Sequence, residues 1–211
     1  MSGVVNGLKT LTDEAVGSAV KRRQIASFLK KRGFVHLGKG RWLGHRGKDT
    51  VSGLMIEGSP LDTYITGFML PAFDKRDFIT WSLGERIVNC SLGDDAKMEC
   101  ETAVDYYAKN YANIKSPDDL MEYIRTREIK GPYSIWAIYI LYLRLGDFEA
   151  AVNYLDDDKC AQMGAGKSEQ FNEISPFATA RDKDGVFRVF EEWSAFSERI
   201  YGPLDPPFDV F

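Results

Sequence analysis

The stretch Gly131–Leu155, GPYSIWAIYILYLRLGDFEAAVNYL, decides how the chain folds. Pro132 suits the first turn of a helix, where its missing N–H costs nothing. From Ile135 to Leu145 nearly every side chain is large and apolar or aromatic: Ile135, Trp136, Ile138, Tyr139, Ile140, Leu141, Tyr142 and Leu143. A helix that is apolar all round must be buried on most sides. This one is too short to cross a bilayer, which needs about 20 such residues. It is therefore the expected centre of the core. Gly146 stops the helix in the left-handed conformation that glycine adopts with least strain. Asp147 caps a second helix whose apolar residues are Phe148, Ala151, Val152 and Leu155.

Outward from that hairpin the chain divides into two kinds of pattern. Toward the C-terminus the spacing stays helical. Residues 185–201 carry Val186, Val189, Phe190, Trp193, Phe196, Ser197 and Ile200 on one face, and Gly202-Pro203 ends the helix. The tail LDPPFDVF reads as an extended strap. Asp156–Ser168 is polar and holds glycine, which predicts a loop. Upstream, Ser116-Pro117-Asp118-Asp119 is a helix start with a cap, a proline and acids at the positive end of the dipole. Asp94 or Asp95 caps an earlier helix with Cys100, Val104, Tyr107, Ala108 and Tyr111 on one side. Before Gly93 the runs are short and strand-like: 34–37, 41–46, 50–58 and 63–70, with Gly38-Lys39-Gly40 as a hairpin turn. DFITWSLGERIV (77–88) reads as a further strand, at an edge. A helix from Thr12 and Asp13 to about Arg32 opens the chain, with Val16, Val20, Ile25, Phe28 and Leu29 as its apolar stripe. The expected class is α+β: an N-terminal helix on an antiparallel sheet of about four to five strands (1–93), then an all-helical half (94–211).

With 211 residues, 44% hydrophobic and 13% aromatic, the chain has ample material for a core. Its net charge of −4 hides a split. Residues 1–50 hold 11 Lys and Arg against 3 Asp and Glu, a net of +8; residues 51–211 hold 16 against 28, a net of −12. Such a split predicts a basic face and an acidic face. The start MSGVVNGLKTLTDEA lacks the pattern of a secretory signal. Cys90, Cys100 and Cys160 are too few and too widely spaced for a disulfide framework or a zinc ribbon. A cytoplasmic protein with unreactive thiols is expected, with no membrane partner.

Three partial motifs have competing readings. Ala161-x4-Gly166-Lys167-Ser168 fits a relaxed phosphate-binding loop, but Asp156-Asp157-Asp158 stands where a buried strand belongs and would repel a triphosphate. ARDKDGVFRVFE (180–191) places Asp182, Asp184, Gly185 and Glu191 at calcium-loop positions, but Ala180 takes the place of the first carboxylate, and no entering helix is evident. An Asp-Lys-Asp-Gly turn starting the last helix accounts for it. GDFEAAVNYL (146–155) resembles half of a tetratricopeptide repeat, with no second copy 34 residues away. His36 and His45 with Glu57 could hold a metal only if the two histidines faced each other across strands. No catalytic residue, metal or cofactor is assigned. The strongest binding candidate is GKGRWLGHRGK (38–48). In it Lys39, Arg41, Arg46, Lys48 and a protonated His45 supply the charge, Arg and Lys could contact phosphates while Trp42 stacks on a base, and the competing reading is a solvated hairpin with Trp42 turned into the core.

FLKKRGFVHLGKGRWLGHR, VSGLMIEGSP, TYITGFMLPAF and SLGERI, spanning about residues 17–90, resemble small uncharacterised bacterial domains that pair an opening helix ending in K-x-G-F with a meandering sheet. Some of those domains are toxin-immunity-type proteins. The resemblance implies a non-catalytic protein that binds another protein, as an immunity-type neutraliser of a toxin does. Its acidic portion would meet a basic partner. The alternative is a nucleic-acid or nucleotide-binding protein using the basic helix and hairpin of residues 21–48.

Overall fold

The computed structural model describes residues 19–58, 62–79, 83–91, 95–163, 165–203 and 207–211. Helix α1 covers residues 19–31; its expected start at Thr12 and Asp13, with Val16, lies outside the described residues. Strands β1 (Val35–Gly38), β2 (Arg41–Arg46), β3 (Thr50–Gly58), β4 (Asp62–Pro71) and β5 (Arg86–Ser91) follow, and then seven helices: α2 (Ala96–Asn110), α3 (Pro117–Thr126), α4 (Pro132–Leu145), α5 (Phe148–Tyr154), α6 (Asp157–Met163), α7 (Ala165–Thr179) and α8 (Lys183–Tyr201). The short strand β6 (Phe208–Asp209) ends the chain. The class is α+β, with an antiparallel sheet in the order β1-β2-β3-β4-β5 and β6 pairing with β2.

Both faces of the sheet are covered. Trp42, Leu54, Ile56 and Ile65 join Ile25 and Leu29 of α1 in one apolar cluster that continues through α2, α3 and α4 to Trp193. Leu43, Val51, Phe68 and Leu70 face the other way, against Ile79 and Tyr201. Two-sided burial leaves β3 and β4 without a solvated face, so that Thr50, Ser52, Thr63 and Thr66 are buried along with their apolar neighbours. Helix α2 sits close to the sheet because the strands have no side chain beneath its tyrosines. A Cβ added at Gly44 would stand 2.5 Å from the Tyr107 ring, and one at Gly67 only 2.2 Å from that of Tyr111. The Tyr107 hydroxyl then reaches Ser52 Oγ at 2.8 Å.

The central hairpin forms as its residues dictate. Eight side chains of α4 are buried, and the Trp136 and Trp193 rings lie 6.0 Å apart. Gly146 closes the helix in the left-handed region at φ 78°, and Asp147 caps α5 by accepting from Ala150 N at 2.9 Å. Ser116 and Asp119 make the reciprocal capping box of α3.

Two segments depart from expectation. The strand read at 77–88 begins only at Arg86. Of the described residues ahead of it, Ile79 drops into the core, and Gly84 abuts the backbone of Gly67, where a Cβ would lie 1.9 Å from the Gly67 carbonyl oxygen. The segment 156–168 is not a loop. It holds α6 and the start of α7, with Asp156 capping α6 through Lys159 N at 2.7 Å. Apart from Lys167, its charged residues are solvated; Met163, Ile174 and Ala178 supply the buried stripe of α6 and α7, too sparse to stand out by hydropathy. Helix α7 also enters the Asp182 turn. There Asp182 Oδ1 accepts from Gly185 N at 3.0 Å and caps α8, the role of a turn residue.

Candidate functional site

The six residues of the basic hairpin do not form one face. Residues opposite each other in adjacent antiparallel strands share a face. Arg41 is opposite Met55 and Arg46 opposite Val51, which puts both on the side of the Tyr201 cluster. Trp42, opposite Leu54, faces α1; it is 5% exposed and belongs to the core. A bulge between Leu43 and His45 sends His45 to the α2 side, opposite Ser52. Lys39 and Lys48 lie at opposite ends of β2, each exposed. Arg46 is engaged internally, its Nη1 donating to the Tyr201 carbonyl at 2.8 Å. Nor do the two histidines meet: His36 is opposite Trp42, while Glu57 accepts a hydrogen bond from Thr66 Oγ1.

His45 instead anchors the C-terminal strap. Val210 N donates to the Gly44 carbonyl at 3.0 Å, and Asp209, opposite His45, brings Oδ2 to 3.7 Å from His45 Nδ1. Lys115 also pairs with Asp209. Burial pushes the His45 pKa down against the pull of Asp209, and Lys115 adds to the lowering. The folded state therefore binds this proton less readily than the unfolded chain, and stability falls as pH drops below the free value of about 6.5. His45→Gln is expected to flatten that part of the profile. The measurement is the difference in melting temperature between pH 7.5 and 5.5 for both proteins; an equal drop in the two would remove His45 as its source.

The strongest polar centre is one the sequence did not reveal. Asp74, in the turn after β4, is fully buried. Its Oδ2 accepts from Arg76 Nε at 2.8 Å and Tyr133 OH at 2.9 Å; its Oδ1 accepts from Trp136 Nε1 and Lys167 Nζ, each at 2.9 Å. Ser197 Oγ donates to the Asp74 carbonyl and accepts from Arg76 N. The Arg76 guanidinium also lies 3.9 Å over the Tyr133 ring. Burial alone would raise the Asp74 carboxyl, but Arg76 and then Lys167 hold it below the usual carboxylate range. Burial pushes Lys167 down and Tyr133 well up. Every named contact is internal, so the centre ties the β4 turn to α4, α7 and α8. Lys167, the lysine of the phosphate-loop-like run, sits in a helix with its ammonium on Asp74.

Two surface regions remain. Beside the hairpin tip, Arg22, Ala26, His36, Lys39, Gly40, Trp42 and Ile56 line a groove of about 450 Å³ between α1 and β1–β2. His36 is exposed and lies on Trp42, ring centroids 4.6 Å apart. Lys21 pairs with Glu99 at 3.1 Å, whereas Arg22 and Lys39 meet no carboxylate among the described residues. On the helical half, Leu145–Asp158 carries Asp147, Glu149, Asp156, Asp157 and Asp158 with no Lys or Arg. Leu145 and Val152 are exposed among them.

Among the described residues no group of three or more His, Cys, Asp or Glu side chains converges on a metal position, and no helix is long and apolar enough to cross a membrane. Cys100 is buried and Cys160 exposed, both as free thiols. Comparison with family models, with curated proteins and with solved structures gives no match for this chain.

Proposed function

We propose that this chain acts by binding another protein, as an immunity-type neutraliser of a basic toxin. The observation that carries the reading is the acidic stretch Leu145–Asp158 with exposed Leu145 and Val152: Asp156 pairs with Lys159 and Glu149 with Arg181, while Asp147, Asp157 and Asp158 meet no cation among the described residues. Apolar side chains set among like charges suit a partner whose contact surface is basic with an apolar centre. Complementary charge speeds such an encounter and makes it salt-dependent. The buried Asp74 centre supports the same reading from the other side, since its donors and acceptors face one another rather than a substrate.

The test is growth rescue with the product of the gene encoded beside this one. The expected result is a toxic neighbour neutralised by this chain. Its association rate should fall roughly tenfold or more in the Glu149→Lys, Asp157→Lys, Asp158→Lys triple variant, and likewise on raising the salt. A harmless neighbour, or a complex indifferent to both changes, would overturn the reading.

A further inference from the structure

We propose that the groove beside the hairpin tip is a binding site for a nucleoside phosphate, free or at the end of a single strand. Three observations meet there. The groove, at about 450 Å³, has the size of a small-ligand site. Arg22 and Lys39 line it and carry no ion pair with any described carboxylate, so both are available to a phosphate. The exposed His36 ring lies 4.6 Å from the Trp42 ring at 31°, so that the two rings form a platform in the lining of the groove.

Each part answers one part of the ligand. The phosphate is held by the guanidinium, with its planar fork, and by the ammonium as a point charge. The base stacks on His36, which Trp42 backs and which is thereby held in place; aromatic and imidazole rings are common stacking partners of unpaired bases. Ala26 and Ile56 provide apolar walls. The hairpin tip sets the geometry: Gly38, Lys39 and Gly40 all have positive φ, and a Cβ at Gly40 would stand 2.3 Å from the Ile56 carbonyl oxygen, so the tip folds tightly onto β3. Along α1, Arg23 and Lys30 are exposed and likewise meet no described carboxylate. They would extend the field along a strand if the phosphate belongs to one. An acidic peptide could satisfy the two cations but would leave the ring platform unused, which is why the nucleoside is favoured.

Calorimetric titrations of the full chain with AMP, a 5′-phosphorylated oligoribonucleotide, inorganic phosphate and poly-glutamate test this. AMP is expected to bind roughly five- to hundredfold more tightly than inorganic phosphate, the range that stacking one base supplies. Arg22→Ala and Lys39→Ala should each weaken both, and His36→Ala should remove the preference for AMP while leaving phosphate binding. His36 packs on Trp42 and Arg22 is half-buried, so melting temperatures are measured alongside, and unchanged values keep the comparison valid. Oligonucleotide binding tighter than AMP and steeply weakened by salt assigns the site to a strand end; equal binding assigns it to the free nucleotide. AMP binding no tighter than inorganic phosphate, affinities indifferent to Arg22→Ala and Lys39→Ala, or poly-glutamate binding as tightly through the same residues would overturn the proposal.

Discussion

Asp74→Asn is expected to destabilise the protein by roughly 3–5 kcal/mol, the cost of removing one partner from a buried ion pair. The carboxylate is fully buried and faces Arg76 and Lys167 at 2.8 and 2.9 Å, with Tyr133 and Trp136 completing its hydrogen bonds. The amide that replaces it is neutral and must turn an NH₂ toward donors. Urea unfolding measures the loss, and a change under about 1 kcal/mol would show that the centre is relaxed or wet. Lys167→Met is a gentler change, because Asp74 keeps Arg76; combined with Asp74→Asn it should cost less than the sum of the two. Acid unfolding gives an independent check. Asp74 is held below the ordinary carboxylate value of about 3.9, so its stabilisation is complete above that value and lost as pH falls through the lowered one. The variant should lack this component of the acid limb.

Trp136→Ala is expected to cost roughly 3–5 kcal/mol, the range for an aromatic truncated in a core. Trp136 is fully buried, packs against Tyr139 and Trp193 with ring centroids 5.8 and 6.0 Å apart, and donates to Asp74. Trp136→Phe separates the two contributions. It retains most of the ring and loses the hydrogen bond, leaving an acceptor of Asp74 short of one donor, at a cost of about 1–3 kcal/mol. Thermal unfolding of both variants checks the order. A Trp136→Ala protein as stable as the parent would mean that α4 is not the centre of the core.

The two experiments address the fold, whereas binding lies at its surface. The acidic stretch of α5 and α6 and the basic groove beside α1 are separate in sequence and opposite in charge. Within the described residues the charge split of the chain, +8 in its first fifty residues and −12 in the rest, appears in part as these two regions, with Lys21–Glu99 as a buried link between α1 and α2.

What the sequence determined by itself was local. The proline and glycine that bound α4, the caps at Ser116, Asp147 and Asp182, and the turn at Gly38-Lys39-Gly40 each act within a few residues, so their readings needed no partner. The apolar density of Ile135–Leu145 placed the core for the same reason. The tertiary structure decided everything that depends on a distant neighbour. Asp74 and Lys167 are 93 residues apart, and the run DKRD looks like any solvated turn until α7 delivers an ammonium to it. The bulge at Gly44 exists only against β3 and the Tyr107 ring, and it divides a basic hairpin that reads as one patch. The start of β5 waits on Gly84 meeting Gly67. The groove needs Arg22 from a helix, His36 and Trp42 from two strands and Ile56 from a third. Hydrogen bonds within a turn are written in adjacent residues; ion pairs, bulges and grooves arise where packing brings remote segments together, and no short window of sequence contains both sides.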